Sequence, residues 1–311
     1  MILRSLLESL LFSTLDYAPA LIFAALGCVL SERSGVIDVA AEGKMRVGAF
    51  AAAVVALALP TPWAIVVGML AGAAFASLHG YLSLRWRADQ VVSGMALDLV
   101  ALAGVTFLLE SYFSPMGTPS IHQLTRWHAA WLERVPVLSA LSGHSALTYL
   151  ALVAPFLFHA FLWRTRWGLR IRAVGEKPQA AETVGISVTR LRWLCVLGGG
   201  LLAGLGGAAM STATLDRFEQ HMPAGLGFMA LAAMVFGRWT PLGAFGAALF
   251  FAAGNALRIG LASSLPGVLD VVPQGFLLAL PYLLTLVVLG VQGGRIRAPA
   301  ALGIPYDAES R

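Results

Sequence analysis

Asp38 and Glu42 stand four residues apart in SERSGVIDVAAEGKMRV at 31–47, which places Glu32, Arg33, Asp38, Glu42, Lys44 and Arg46 between apolar runs. If the stretch is helical, the two carboxylates share a face and line a path for a polar solute. The same spacing also suits internal pairs with Lys44 and Arg46, or a solvated loop, and the residues alone leave these readings open. Asp98 lies two turns into an apolar span, after Gln90 and Ser93. An ionisable group at a membrane helix centre costs about 2.5 to 3.5 kcal/mol on insertion scales, so Asp98 needs either a solute path or a hydrogen bond from a neighbouring helix. Asn255, near the outer end of its span, divides evenly between path and helix packing, while Arg258 is expected to snorkel to the interface. His79 reads as a packed, hydrogen-bonded histidine. Asp38, Glu42, Gln90, Ser93, Asp98 and Asn255 form the candidate substrate path.

No enzyme constellation accompanies them. The chain lacks a G-x-S-x-G elbow, an H-E-x-x-H pair and a Cys/His cluster at zinc spacing. Cys28 and Cys195 both fall in apolar spans and build no disulfide framework. The only lysines, Lys44 and Lys177, precede Met45 and Pro178, so neither completes a G-x-x-x-x-G-K-[ST] phosphate loop. The chain is read as a non-enzyme without a cofactor of its own; any ATP is bound by a partner.

A second group of residues points outward. Between two apolar spans, 164–192 holds Arg164, Arg166, Arg170, Arg172, Lys177, Arg190 and Arg192 against Glu176 and Glu182. A basic loop of this length is cytoplasmic under the positive-inside bias. Pro178 suits a first helical turn and Gly185 a left-handed terminating residue, so PQAAETVG is expected to form a helix of about two turns. With no core of its own, that helix must dock on a partner.

The elements that position these residues are membrane spans. The chain of 311 residues is 58% hydrophobic and 12% charged, with a mean hydropathy of +0.79. Soluble proteins average about 25% charged residues. Apolar runs at 17–30, 47–59, 63–84, 91–109, 146–163, 193–215, 225–237, 242–262 and 274–291 give eight or nine crossings. The fold class is all-α, a polytopic membrane bundle of about 8–10 transmembrane helices, with room for broken helices and an internal repeat, and one domain over 1–311. With 164–192 inside, Arg85, Arg87, Arg238 and the tail 292–311 are also inside. The loop 114–145, which contains Trp127, Trp131 and several prolines, is then periplasmic, and its mixture reads as an interfacial amphipathic helix. The side of the N-terminus stays open, and no removed signal peptide is expected. The net charge of +5 reports topology rather than nucleic-acid binding. Gly72-Ala73-Ala74 with Gly80 and Gly246-Ala247-Ala248 with Gly254 hint at an internal repeat, and GGGLLAGLGGAA at 198–209 reads as close helix packing.

Five segments resemble one known family: ERSGVIDVAAEGKMRVGAF at 32–50, DQVVSGMALDLVAL at 89–102, GEKPQAAETVGI at 175–186, GLGFMALAAMVFGRWTPLGA at 225–244 and LGIPYDAES at 302–310. In this order they are similar to the permease subunits of bacterial ABC importers, within the branched-chain amino acid, ribose and nucleoside permeases. The nearest branch is that for nucleosides, a sister to the simple-sugar permeases. The resemblance implies a multi-pass inner-membrane subunit that pairs with a second permease, the same or different. It also implies an ABC ATPase and a periplasmic or lipoprotein solute-binding protein as partners. The 178–184 helix would then be the coupling element, with Gly175, Glu176, Pro178, Ala180, Ala181, Glu182 and Gly185 facing the ATPase. The branch usually carries Asn where Asp38, Asp89 and Asp98 stand, and apolar residues where Lys44 and Arg46 stand. Acceptor-only carboxylates in those places would favour a solute with more donors or a positive charge. The rival from another class is a stand-alone proton- or cation-coupled transporter or channel, with Asp38, Glu42, Asp98 and His79 as a relay; the long helix-forming cytoplasmic loop argues against it.

Overall fold

The structure, a computed structural model, describes residues 2–129, 138–264 and 297–307. Its helices are α1 Ile2–Arg33, α2 Ala41–Ala56, α3 Thr61–Gly80, α4 Gln90–Tyr112 and α5 Ala146–Arg164, followed by α6 Arg166–Glu176, α7 Pro178–Thr183, α8 Val188–Ala209, α9 Leu226–Phe236 and α10 Pro241–Ser264. Single π-helical turns, Tyr81–Arg85 and Met210–Thr214, extend α3 and α8. Among the described residues, five stretches are long and apolar enough to cross a membrane: Leu7–Arg33, Thr61–Arg85, Gln90–Tyr112, Ala146–Arg164 and Val188–Thr214. The chain is a polytopic helical membrane protein.

The bundle is held by small residues. Helix α8 lies against α1, α2 and α3, and its Gly204 is where α2 and α3 both reach it. A methyl group added at Gly48 of α2 or at Gly72 of α3 would stand 2.6 Å from the Gly204 Cα. Only glycine on both sides lets these backbones approach, and packing, rather than hydrophobic expulsion, is what joins helices in lipid. Outward faces are correspondingly apolar: Val92, Leu99 and Phe107 of α4 are each about two-thirds exposed (66%, 67% and 68%), as lipid contact demands. Among the described residues, Gly246 has no close neighbour where Gly72 meets α8.

Two expectations change. The runs at 47–59 and 225–237 are not full crossings: α2 has 16 residues and α9 has 11, which reach only about 24 Å and about 17 Å against about 30 Å of hydrocarbon. Periodicity counted apolar residues there but could not see that the two helices meet at their N-terminal ends, where Glu42 lies against Gly227. The loop at 114–129 forms no amphipathic helix. It runs extended, donating from Thr118, Ile121 and Leu124 to the carbonyls of Phe218, Asp216 and Thr212, and Trp127 lies in a two-residue strand, β1 (Arg126–Trp127), paired with β2 (His144–Ser145). Backbone pairing with 212–218, invisible in a local window, overrides the aromatic pattern. Trp131, the last expected span and the Arg258 side chain lie outside the described residues.

Candidate functional site

Helix α1 stops at Arg33 and α2 starts at Ala41, and the seven residues between them are almost wholly buried. Irregular backbone inside a membrane survives only where protein satisfies its polar groups, and here neighbouring side chains do so. Gln90 of α4 accepts from the Ile37 N–H at 2.8 Å, and His79 of α3 meets the Ile37 carbonyl at 2.9 Å. Glu32 accepts from the Asp38 N–H at 3.3 Å and from the Trp239 indole at 2.6 Å. Ser31 donates to the Val36 carbonyl, and Ser93 lies 3.4 Å from the second nitrogen of His79. His79 is thus the packed histidine expected. Within the break Asp38 forms an ion pair and hydrogen bond with Lys44, both essentially unexposed.

Beyond the break, the N-termini of α2 and α9 meet. The Glu42 backbone lies directly against Gly227, and from there the helices run apart. Helix α2 ends with Ala56 packed beside Ile121, whereas the turn after α9 brings the Trp239 carbonyl to the Arg33 guanidinium at 2.6 Å. Two helix N-termini in contact bring partial positive charges together and expose unpaired N–H groups. The chain meets this with its own carboxylates. Glu42 accepts from the Gly225 and Gly227 N–H groups at 2.9 and 2.7 Å, and Asp98 accepts from the Gly43 N–H at 2.7 Å. Hydrogen bonds of this kind contribute about 1.5 to 3 kcal/mol each. Arg46 completes the group, 3.8 Å from Glu42 and donating to the Gln220 carbonyl at 3.1 Å.

Five of the six candidate path residues therefore gather around the break: Asp38, Glu42, Gln90, Ser93 and Asp98. Each has a partner within the chain. Asp98 Oδ2, Asp38 Oδ2 and Gln90 Nε2 are buried without a hydrogen bond among the described residues. Asp89, the third acidic difference, caps α4 by accepting from the Val91 and Val92 N–H groups. Asn255 lies apart, lining a cavity of about 370 Å³ with Tyr17, Thr214, Glu219 and His221 over a floor that includes Met210, Met222 and Met229. Sequence reasoning missed Glu219 and His221, because LDRFEQHMP at 215–223 reads as an ordinary outer loop, and Tyr17, which stands at the edge of an apolar run. It also missed Glu32 and Trp239, whose pairing spans 207 residues. Outside the spans, the Asp216 carboxyl is held below its usual range, chiefly by the Ser120 hydroxyl and then by Arg217.

The basic loop folds as two helices. Thr165 caps α6, its hydroxyl accepting from the Gly168 N–H at 3.1 Å. Helix α7 spans Pro178–Thr183 and closes at Gly185 with φ +82°, as the two bracketing residues predict. Its docking differs from the expectation of a partner alone: Pro178 and Ala181 are buried against this chain. Gln179, Ala180, Thr183 and Val184 form the outward ridge, and Val184 is 74% exposed. Of the candidate coupling residues, Ala180, Glu176 and Gly185 are exposed and Glu182 half-buried, while Gly175 is buried against the Arg33 carbonyl. Trp167 and Leu169 of α6, 53% and 60% exposed, extend the apolar part of this surface.

Residues 10–289 match the family described as the permease component of the branched-chain amino acid transport system. The nucleoside ABC transporter permease protein NupC of Lactococcus lactis subsp. cremoris (strain MG1363) is 38% identical over 309 residues, 96% of this chain and 97% of that one. The guanosine ABC transporter permease protein NupQ of Bacillus subtilis (strain 168) is 40% identical over 305 residues, 94% and 95% of the two chains. The putative glucose ABC transporter permease protein TsgC13 of Haloferax volcanii is 32% identical over 327 residues, 98% and 99%. No solved structure matches the chain. With the family matched over residues 10–289 and relatives 32 to 40% identical along nearly the whole length, the chain belongs to the permease-component family of the branched-chain amino acid transport system.

Proposed function

We propose that this chain is the membrane-spanning subunit of an ABC importer for nucleosides, seated in the bacterial inner membrane and driven by a separate ATPase. The observation that carries the reading is full-length similarity, at 38 to 40%, to two permeases named for nucleoside and guanosine transport. A second permease subunit completes the path, and a periplasmic or lipoprotein binding protein delivers the solute. The geometry supports a division of labour. The outward ridge of α7, Gln179, Ala180, Thr183 and Val184, is the surface offered to the ATPase. Asn255, Tyr17, Glu219 and His221 around the 370 Å³ cavity, with Asp98 facing the break, are the polar groups offered to the solute. Positive-inside bias puts the 164–192 loop in the cytoplasm. Because Gly175 of that loop touches the Arg33 carbonyl at the end of α1, the N-terminal end of α1 lies on the periplasmic side.

The deciding experiment is uptake by the reconstituted complex of permease, ATPase and binding protein, with competition by nucleosides, nucleobases and hexoses. Uptake is expected to vanish without the ATPase and to be competed best by nucleosides. Competition by glucose alone would transfer the chain to the sugar branch. Uptake that survives loss of the ATPase and collapses with a protonophore would establish the stand-alone transporter instead.

A further inference from the structure

Residues 297–307 lie on the face that carries α6 and α7 and contact three separate parts of the chain. The Ala301 N–H donates to the Gly175 carbonyl at the end of α6 at 2.9 Å, and the Gly303 N–H donates to the Gly35 carbonyl inside the α1–α2 break at 3.1 Å. The Ala300 N–H donates to Glu176 at 3.2 Å, and the Tyr306 hydroxyl donates to Glu182 of α7. Arg192, at the start of α8, joins the same three parts. Its guanidinium donates to the carbonyls of Ser34 in the break at 3.1 Å, and of Ile304 and Ala301 in the tail at 3.0 and 3.4 Å. The Arg192 side chain is fully buried. A guanidinium buried among neutral carbonyls is tolerated only while all of them are held in place. At the far end Arg87 pairs with Asp307 through two parallel bonds of 2.8 and 2.9 Å. Arg87 does so from a left-handed backbone, φ +56°, a conformation that disfavours a bulky residue.

These contacts have one geometric consequence. Helix α7 touches the break through the tail, with Tyr306 on α7 at one end and Gly303 and Arg192 on residues 34–35 at the other. We infer that residues 299–307 form a clasp tying α6 and α7 to the α1–α2 break, with Arg192 and Tyr306 as its positioning residues, so that displacement of α7 reaches the break instead of being absorbed in the loop. The inference rests on the reading of α7 as the ATPase contact. It adds a route from that contact to the buried groups Asp38, Glu32 and Lys44, which share the break.

The test uses the full complex with its ATPase, compared with and without a non-hydrolysable ATP analogue, and follows amide hydrogen exchange at 178–185 and at 34–37. In the native complex both segments are expected to respond, the break by about tenfold, the factor set by one hydrogen bond to a charged group. In Tyr306→Phe the response at 178–185 persists and that at 34–37 falls below about twofold. Glu182→Ala, which removes the acceptor of the Tyr306 hydroxyl from the α7 side, supplies a second variant should Tyr306→Phe insert poorly, and the same loss at 34–37 is expected from it. A break that responds equally in both variants overturns the clasp while leaving the coupling surface intact. No response at 178–185 in the native complex overturns both.

Discussion

The α1–α2 break and the 164–192 loop are both rich in charge, and they use it in opposite ways. In the break Asp38, Lys44, Glu42 and Glu32 are all nearly or fully buried, and each is matched within the chain by an opposite charge, a backbone N–H or an indole. In the loop, Arg166, Arg170, Lys177 and Arg190 are exposed, and water does most of the matching; the exceptions are Arg192, buried in the clasp, and half-buried Arg172, which donates to the Leu162 carbonyl beside the Trp163 ring. Burial is what separates the two. A carboxylate in low dielectric is tolerated only with its partners fixed, so the break spends its charges on holding irregular backbone. A solvated charge has no such demand, and it remains free to set sidedness and meet a partner.

The contrast breaks most sharply at Lys44. Lys44→Met leaves Asp38 buried without its cation, a loss of about 3 to 5 kcal/mol that should appear as little correctly inserted protein. The double variant Asp38→Asn, Lys44→Met removes both charges and should recover insertion and thermal stability in detergent. A double variant no better than the single one would show that the pair does not act as a unit. Next in size is Glu42→Gln. An amide turns one donor toward the Gly225 and Gly227 N–H groups that the carboxylate accepts from, and stability should fall by about 2 kcal/mol, measured by thermal unfolding in detergent. A neutral result would mean that the meeting of α2 and α9 does not depend on a carboxylate. The smallest effect on stability belongs to the loop. Val184→Glu, on the exposed ridge of α7, should change stability by less than about 0.5 kcal/mol while reducing the ATPase recovered with the chain. Normal recovery together with normal uptake would remove that ridge from the partner surface.

Much of this was legible in the chain, for reasons that can be named. Pro178 and Gly185 carry backbone preferences of their own, so α7 and its left-handed stop follow from local chemistry. The glycines at 198–209 announce close packing because lipid offers apolar helices no other reason to keep their side chains small. The long apolar runs mark a polytopic helical bundle, since the low dielectric of lipid acts on composition directly. Asp98 and Glu42 were conspicuous as charges in apolar surroundings. Their partners were not: Glu42 is held from 183 residues away and Asp98 from 55, and no local pattern records such distances. The same holds for Arg192, which in the sequence is one more basic loop residue and in the fold is buried between the break and residues 301–304. Sequence by itself determined that the chain is a polytopic helical bundle and which charges had to be explained. Tertiary structure alone decided which backbone N–H, carbonyl or cation each charge would meet, because a hydrogen bond is set by a few tenths of an ångström between groups that the chain brings together only on folding.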